Sequence, residues 1–271
     1  MKLSFSTLAA PDWSFEELTS VAADLGYDGI ELRGIADEMS APRIPQFSDA
    51  NLDASLRHLR ARGLEIPILT AGAYLNANPD HGSADRELKD YILLAEKLGT
   101  PYVRVMGEPT PDPRADFDFD GVAEEYAALC AFAGEHRVRL LIETNGELCH
   151  SAAAARLMEA VDSPAAGILW DIHHTYRYGK ESPDETVKAL GSYICHTHFK
   201  DSVMGTNGHL TYMLNGYGDV PIEQAVKALK GIGYEGYLSY EWVKRWSREL
   251  AEPGVALFSY ISTMRDMLDA D

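Results

Sequence analysis

The 271-residue sequence predicts an α/β protein that folds as a (β/α)8 TIM barrel. The first observation is a repeated junction, at which a helical pattern ends at a glycine and a short run of β-branched or aromatic residues follows. The first four of these glycines, Gly26, Gly63, Gly99 and Gly134, are 35 to 37 residues apart. A glycine suits the left-handed position after a helix, and this period corresponds to one strand and one helix per unit.

The second observation is that the chain contains eight short apolar runs, each followed by a helical pattern. They occupy residues 3–8, 27–32, 64–69, 100–105, 138–143, 167–171, 193–198 and 237–241. Such runs are typical of strands that are buried on both faces of a parallel sheet. Eight strand-helix units in a chain of this length favour one barrel over a doubly wound open sheet, because no reversal of strand order is evident.

Two of the helices have clear start signals in the sequence. Ser14 with Glu17, and Ser182 with Pro183 and Glu185, match the capping box, in which a serine and a glutamate three residues later satisfy each other's backbone N–H groups. Proline at the first helical position strengthens the second signal. We therefore expect helices to begin directly after Ser14 and Ser182.

Composition excludes several classes of protein. With 24 basic and 42 acidic side chains the formal net charge is −18, which opposes binding to nucleic acid or to an anionic membrane. The three cysteines form no CxxC pair, no stretch has the length of a membrane span, and no targeting segment is evident, so a cytoplasmic protein is expected. Without a Pro- or Ser-rich linker, residues 1–271 are expected to form a single domain. The sequence leaves a homo-oligomer open.

Three longer irregular stretches, 34–48, 106–116 and 201–221, each lie between a strand and a helix. That position places them on the C-terminal face of a barrel, which carries the active site in this fold. Four strands that are consecutive in the sequence also end in polar residues, namely Glu143, Asp171, His198 and Glu241. We expect these four side chains to converge at the barrel mouth.

Three carboxylates in one partly dry pocket repel one another unless a cation lies among them. Three oxygen donors and one imidazole suit Mn²⁺, Mg²⁺ or Co²⁺ better than they suit a structural zinc ion. The sequence therefore predicts one divalent metal ion as cofactor. Mn²⁺ is the first choice, and Zn²⁺ also stays open.

The other polar residues near the strand ends are candidates for substrate contacts. His174 is placed to reach a substrate hydroxyl, and Lys200, Arg104 and Glu31 are further candidates. Lys200 could instead be a solvated side chain, and Arg104 could pair with a carboxylate inside the barrel. His196 is two residues from His198 and faces the same way, one layer deeper, so it is expected to lie in the core behind the site.

These residues carry a resemblance to a known family. Glu143, the run Trp170-Asp171-Ile172-His173-His174, the run His196-Thr197-His198-Phe199-Lys200-Asp201 and Glu241, in that order, resemble the xylose isomerase-like superfamily of sugar isomerases and epimerases. The chain looks most like the branch with ketose 3-epimerases, inosose dehydratase and endonuclease IV, and the resemblance spans essentially its whole length.

The resemblance implies that Glu143, Asp171, His198 and Glu241 are metal ligands and that His174 contacts substrate. It also implies that Glu143 and Glu241 are catalytic and move protons on opposite faces of the substrate. The epimerases have a further glutamate six positions after the first one, whereas this chain has Cys149 there, with Glu147 nearby.

The expected function is that of a metal-dependent isomerase or epimerase of a small ketose or keto-polyol. Removing a proton next to a carbonyl builds negative charge on oxygen, and the metal would stabilise the resulting enediolate. The alternatives are a dehydratase of a cyclic keto-polyol such as an inosose, a DNA-repair endonuclease, which the net charge opposes, and a non-catalytic barrel. Few basic residues stand among the expected mouth residues, which favours a substrate without phosphate.

Overall fold

The computed structural model describes residues 1–76, 81–206 and 208–270, in which strands alternate with helices. The strands are β1 (Lys2–Ser6), β2 (Gly29–Glu31), β3 (Ile68–Tyr74), β4 (Tyr102–Met106), β5 (Arg139–Glu143), β6 (Ala166–Asp171), β7 (Ile194–Phe199), β8 (Asp201–Met204), β9 (Leu210–Met213) and β10 (Tyr237–Tyr240). The helices are α1 (Phe15–Leu25), α2 (Leu52–Ala61), α3 (His81–Leu98), α4 (Phe119–Glu135), α5 (Ser151–Val161), α6 (Ile172–Arg177), α7 (Pro183–Leu190), α8 (Ile222–Gly231) and α9 (Pro253–Asp269).

Eight parallel strands form the barrel and confirm the predicted fold class. Their order around the sheet is β2-β1-β10-β7-β6-β5-β4-β3. The two ends of this sheet meet through short bridges between Gly29 and Glu65 and between Leu32 and Leu69. There the Thr70 N–H donates to the Leu32 carbonyl at 2.9 Å. Because the sheet returns to its start, the C-terminal ends of these strands surround one mouth.

The helix boundaries follow the predicted signals with one exception. The backbone is left-handed at Gly26, Gly63 and Gly99, and also at Gly233, the glycine before the last apolar run. The prediction for Gly134 is wrong, because α4 continues through it to Glu135 and the left-handed residue is Arg137, with φ of 59°. A Cβ on Gly134 would lie 3.4 Å from Ala165, an ordinary van der Waals distance, so there is room for a side chain at this helical position.

Both predicted capping boxes are present. The Glu17 N–H donates to Ser14 Oγ at 3.3 Å, and the Ser14 N–H donates to Glu17 Oε2 at 2.8 Å. Ser182 and Glu185 make the same pair of bonds at the start of α7. The local sequence signal therefore fixes where α1 and α7 begin.

The third barrel strand lies later in the chain than the predicted run 64–69. Pro67 has no N–H to donate to a neighbouring strand, and regular pairing with β4 starts at Ile68, which lies opposite Tyr102. Ala71 and Gly72, which were expected to follow the strand, lie inside it. The apolar character of the run was informative, but its boundaries were wrong.

The stretch 201–221, expected to be irregular, contains an antiparallel hairpin of β8 and β9. The buried carboxylate of Asp201 organises this loop. It accepts hydrogen bonds from the backbone N–H groups of Ser202 at 2.8 Å, Gly216 at 2.9 Å, Gly218 at 2.8 Å and Val220 at 3.2 Å. These bonds therefore fix the loop that follows β7.

The barrel interior changes from apolar to charged along the strands. Ile68, Leu141 and Leu169 form a buried apolar cluster. Leu141 and Leu169 lie two residues before Glu143 and Asp171, and residues two apart on a strand point to the same face. A dry apolar layer therefore lies beneath the charged mouth. Within the described residues, no helix has both the length and the apolar character needed to cross a lipid bilayer.

Candidate active site

The four predicted ligands stand at the C-terminal ends of neighbouring barrel strands. Glu143 is the last residue of β5, Asp171 the last of β6, His198 the penultimate residue of β7, and Glu241 directly follows β10. These strands are adjacent in the sheet. Each of the four side chains is at least about nine-tenths buried. The fold therefore brings them together as expected.

The three carboxylates converge on one nitrogen of His198. His198 Nδ1 lies 3.8 Å from Glu143 Oε1, 3.8 Å from Asp171 Oδ2 and 3.5 Å from Glu241 Oε1. Glu143, Asp171 and His198 each offer one ligand atom, and these atoms lie within 4.8 Å of one another. These three residues form a compact group of ligand atoms, and Glu241 lies beside it, near the same imidazole nitrogen.

The other nitrogen of His198 is held from below by Glu31. His198 Nε2 lies 2.9 Å from Glu31 Oε2, and the same oxygen is 3.0 Å from His196 Nε2 and 2.8 Å from Ser239 Oγ. An ionised carboxylate only accepts hydrogen bonds, so His198 Nε2 carries the proton. In the neutral imidazole the lone pair is then on Nδ1, facing the three carboxylates.

Two observations test whether this site fits a metal ion. His198 Nδ1 is buried and, among the described residues, has no hydrogen-bond partner. Four buried carboxylates (Glu31, Glu143, Asp171 and Glu241) face two cationic side chains (Arg104 and Lys200), which leaves an excess of two negative charges when the histidines are neutral. Three oxygen donors, one imidazole and this charge imbalance fit a divalent cation.

A proton and a metal ion would compete for His198. Burial opposes a charge on the imidazole, but the carboxylates of Glu31 and Glu241 outweigh it and raise the pKa of His198 well above its ordinary value. The same negative charge that attracts the proton would attract a cation. Binding a metal at Nδ1 would therefore release a proton.

Arg104 and Lys200, expected as substrate contacts, both pair with carboxylates of the site. Arg104 Nη1 donates to Glu143 Oε2 at 2.9 Å, and both side chains are buried. Lys200 Nζ donates to Asp171 and Glu241. The ion pair within the barrel, considered as the alternative for Arg104, is therefore present.

These ion pairs set the protonation of Glu143 and Lys200. Burial would raise the pKa of Glu143, but Arg104 and His198 hold it well below its ordinary range. Burial would likewise lower the pKa of Lys200, yet Asp171 and Glu241 raise it well above its ordinary value. Glu143 is thus a carboxylate and Lys200 an ammonium ion at neutral pH.

His174 stands beside the cluster in the first turn of α6. The Asp171 side chain caps this helix and accepts the His174 N–H at 3.0 Å. His174 Nδ1 lies 3.2 Å from the Thr144 carbonyl, which can only accept, so Nδ1 carries the proton. Burial, followed by the charge of Lys200, lowers the pKa of His174 to about 3. The ring is therefore neutral, and its Nε2 can accept a hydrogen bond.

Glu31, expected to contact substrate, lies next to His198. Its side chain is 1% exposed, and one of its oxygens is bonded to His196, His198 and Ser239. These bonds orient His198, and the expected contact of Glu31 with substrate stays a prediction. His196 lies in the core behind His198, as expected.

Cys149 does not replace the glutamate that ketose 3-epimerases have at that position. Its side chain is buried, and burial above all raises the pKa of the thiol to about 12. The thiol is therefore uncharged at neutral pH. Glu147 is partly buried, and its backbone N–H donates to the side chain of Glu108 at 2.5 Å.

Arg33 also lies just beyond a barrel strand, although it is not among the predicted site residues. Arg33 follows the second strand by two residues, and its backbone N–H donates to Thr7 Oγ1 at 2.9 Å. The signal that could have found it was a charged residue just beyond a strand end, the same signal that led to Glu143 and Asp171.

The chain matches known proteins along most of its length. The family model described as xylose isomerase-like TIM barrel matches residues 20–259. Fructoselysine 3-epimerase of Escherichia coli O157:H7 is 24% identical over 267 residues, which cover 92% of this chain and 93% of that protein.

Two solved structures show the same fold. The probable 3-DHS dehydratase AsbF of Bacillus anthracis superposes with a TM-score of 0.80 at 20% identity, covering 98% of this chain and 99% of that one. The IOLI protein with a binding zinc atom superposes with a TM-score of 0.80 at 21% identity, covering 99% of this chain and 98% of that one. With the family model matched over most of its length, the chain belongs to the xylose isomerase-like TIM barrel family.

Proposed function

We propose that this protein is a divalent-metal-dependent isomerase or epimerase of a small ketose or keto-polyol. One observation carries the proposal: Glu143 and Glu241 approach the same nitrogen of His198 from strands that β6 and β7 separate. Two carboxylates on different sides of one site suit proton removal from one face of a substrate and proton return to the other.

Glu143, Asp171, His198 and Glu241 would hold the metal ion. The donor set is rich in oxygen, which favours Mn²⁺, with Mg²⁺, Co²⁺ and Zn²⁺ as other candidates. The IOLI protein, which has the same fold, binds a zinc atom in its crystal structure. When bound, a divalent ion acts as a Lewis acid that stabilises negative charge on a substrate oxygen.

The residues of the chain supply the proton chemistry. One glutamate takes the proton from the carbon next to the carbonyl, and the C–H electron pair forms the C=C bond of an enediolate. Glu143 is ionised and suits this role. Glu241, on the other side, takes a proton from the Lys200 ammonium that donates to it and passes it to the opposite face, which inverts the carbon; return to the neighbouring carbon would give isomerisation. His174 Nε2 is free to accept a bond from a substrate hydroxyl.

Other observations support a sugar as substrate. The curated relative is an epimerase of fructoselysine, and the net charge of −18 opposes a nucleic-acid substrate. We further propose that residues 1–271 act as a single domain. The three free cysteines favour a reducing, cytoplasmic location.

The proposal is tested by hydrogen exchange in D₂O. Metal-loaded protein, incubated with a panel of ketoses, should place deuterium on the carbon next to the carbonyl, and protein stripped by a chelator should not. Glu241→Gln should lower the exchange rate by about 10²- to 10⁴-fold, the usual contribution of a general acid or base. The matched control is Glu159→Gln on α5, which is exposed and should exchange at the wild-type rate.

The same experiment separates the alternatives. Exchange together with a new stereoisomer supports an epimerase. A new enone absorbance without a stereoisomer would instead identify a dehydratase and contradict the isomerase. Absence of exchange over a broad panel, in protein with bound metal, would contradict the enediolate chemistry altogether.

A further inference from the structure

A cleft lies beside the proposed site, on the same face of the barrel. Its volume is about 490 Å³, and Arg33, Met39, Ser40, Gly72 and Glu87 are among the residues that line it. Arg33 and Met39 belong to the segment after β2, Gly72 lies in β3, and Glu87 lies on α3. The cleft is therefore formed by the loop after one barrel strand and the helix after the next.

Arg33 is the most buried cation of this cleft, because Arg43 and Arg86 are exposed. Its side chain donates to the Met39 carbonyl at 3.3 Å. Among the described residues, no carboxylate lies within ion-pair distance of it, whereas Arg43 pairs with Glu38 at 3.3 Å. A Cβ on Gly72 would lie 2.9 Å from Arg33 Nη2, so the absence of a side chain there leaves room for the guanidinium.

Charged residues of the proposed metal site affect the pKa of Arg33 in the cleft. Burial is the main cause that lowers the pKa of Arg33, and the charge of Arg104 is the second. Glu241 acts in the opposite direction. Arg33 Nη2 also lies against Gly72 of β3, and β3 is the neighbour of β4, which carries Arg104 of the proposed site.

From this geometry we propose that Arg33 binds a carboxylate at the end of the substrate remote from the reacting carbon. The substrate class is thus a ketose with an acidic group, which deepens the proposed function and rests on it. A guanidinium presents two parallel N–H donors that match the two oxygens of a carboxylate. Without such a partner Arg33 stays a partly buried charge with one weak hydrogen bond.

The charges that line the cleft favour a carboxylate over a phosphate. Arg33, Arg43 and Arg86 face Glu87 and Asp90, and Arg43 already pairs with Glu38. Arg33 and Arg86 therefore stand against Glu87 and Asp90, with no net charge left over. A phosphate dianion would meet these two acidic side chains with twice the charge of a carboxylate, which agrees with the sequence-based expectation of a substrate without phosphate.

Three ketoses with one carbon skeleton test the proposal. D-fructose, D-fructuronate and D-fructose 6-phosphate have a hydroxyl, a carboxylate and a phosphate group at the far end. We expect isothermal titration of the metal-loaded protein to show that D-fructuronate binds at least about tenfold more tightly than either of the others. Arg33→Gln should remove this preference and leave the affinity for D-fructose unchanged, and Arg33→Lys should keep part of it.

Arg57→Gln is the matched control, because Arg57 is exposed on α2 and the substitution makes the same change in net charge. It should retain the full preference for D-fructuronate. Circular dichroism and metal affinity should be the same in Arg33→Gln and the wild type, which excludes misfolding as the cause. A preference that survives Arg33→Gln, or tighter binding of D-fructose 6-phosphate, would overturn the proposal.

The outcome is distinguishable from failure of the proposed function. Binding is read directly, and hydrogen exchange in D₂O is read separately on the same variants. Exchange without a carboxylate preference would contradict the role of Arg33 and leave the isomerase proposal intact. A carboxylate preference that depends on Arg33, without exchange on any ketose, would support this binding role and contradict the isomerase.

Discussion

The two nitrogens of His198 face two groups of residues that differ in one respect. Below the ring lies the lower group, Glu31, His196 and Ser239, in which a carboxylate oxygen is bonded to each of its neighbours at 2.8 to 3.0 Å. Above the ring lies the upper group, Glu143, Asp171 and Glu241, whose oxygens stand 3.5 to 3.8 Å from a nitrogen without a hydrogen-bond partner among the described residues.

This difference in hydrogen bonding indicates different roles for the two groups. A buried hydrogen-bonded group is stabilising and rigid, so the lower group can fix the orientation and the tautomer of His198. A buried nitrogen that faces three carboxylates without a bond is costly unless a ligand completes the arrangement. The lower group therefore supports the site, and the upper group is the part that would bind a cation.

The largest effect is expected from metal binding at the upper group. Mn²⁺ at one hundred times its dissociation constant should raise the free energy of unfolding by about 2.7 kcal/mol, because the ion binds only the folded site. Denaturant unfolding with and without Mn²⁺ measures this gain. At that same Mn²⁺ concentration His198→Phe should show no gain, and Glu159→Gln on α5 should keep it. A wild-type protein that no divalent ion stabilises would contradict the metal site.

A smaller effect is expected at the lower group. In Glu31→Gln the amide oxygen can keep the three hydrogen bonds, but the negative charge that holds the imidazole N–H groups is lost, so His198 is oriented less firmly and the metal affinity should fall by about 10- to 100-fold. Calorimetry measures the affinity, and ¹⁵N NMR of the imidazoles measures the tautomer.

Two further variants control this prediction. Ser239→Ala removes one bond to Glu31 but neither histidine bond, and it should bind metal nearly as well as the wild type. Glu65→Gln changes a glutamate that pairs with Lys2 on the N-terminal side of the barrel, and it should do the same. Unchanged affinity in Glu31→Gln would mean that the lower group does not orient His198.

The smallest effect is expected from a substitution outside both groups. Ser14→Ala removes the side-chain bonds of the capping box at α1 and should cost about 1 kcal/mol of unfolding free energy. Urea unfolding measures this loss, and the affinity for Mn²⁺ should stay at the wild-type value. A parallel loss of metal affinity would mean that the site depends on global stability and not on its own contacts.

Local patterns were sufficient to predict much of the fold. The capping serines and glutamates act over three residues, so Ser14 and Ser182 indicated the true starts of α1 and α7. Boundaries were wrong where local and non-local effects compete. The start of β3 depends on which neighbour pairs with it, and α4 continues past Gly134 to Glu135, with the left-handed residue at Arg137.

Some features of the site could likewise be predicted from the sequence, and others could not. The sequence alone predicted which residues meet at the ends of β5, β6, β7 and β10, because the C-terminal ends of the parallel strands in a barrel surround one mouth. It could not show that Glu31 lies behind His198, that Lys200 bonds to Asp171 and Glu241, or that Arg33 has no carboxylate partner among the described residues. Those facts depend on the distances between side chains far apart in the chain, and only closure of the barrel sets these distances.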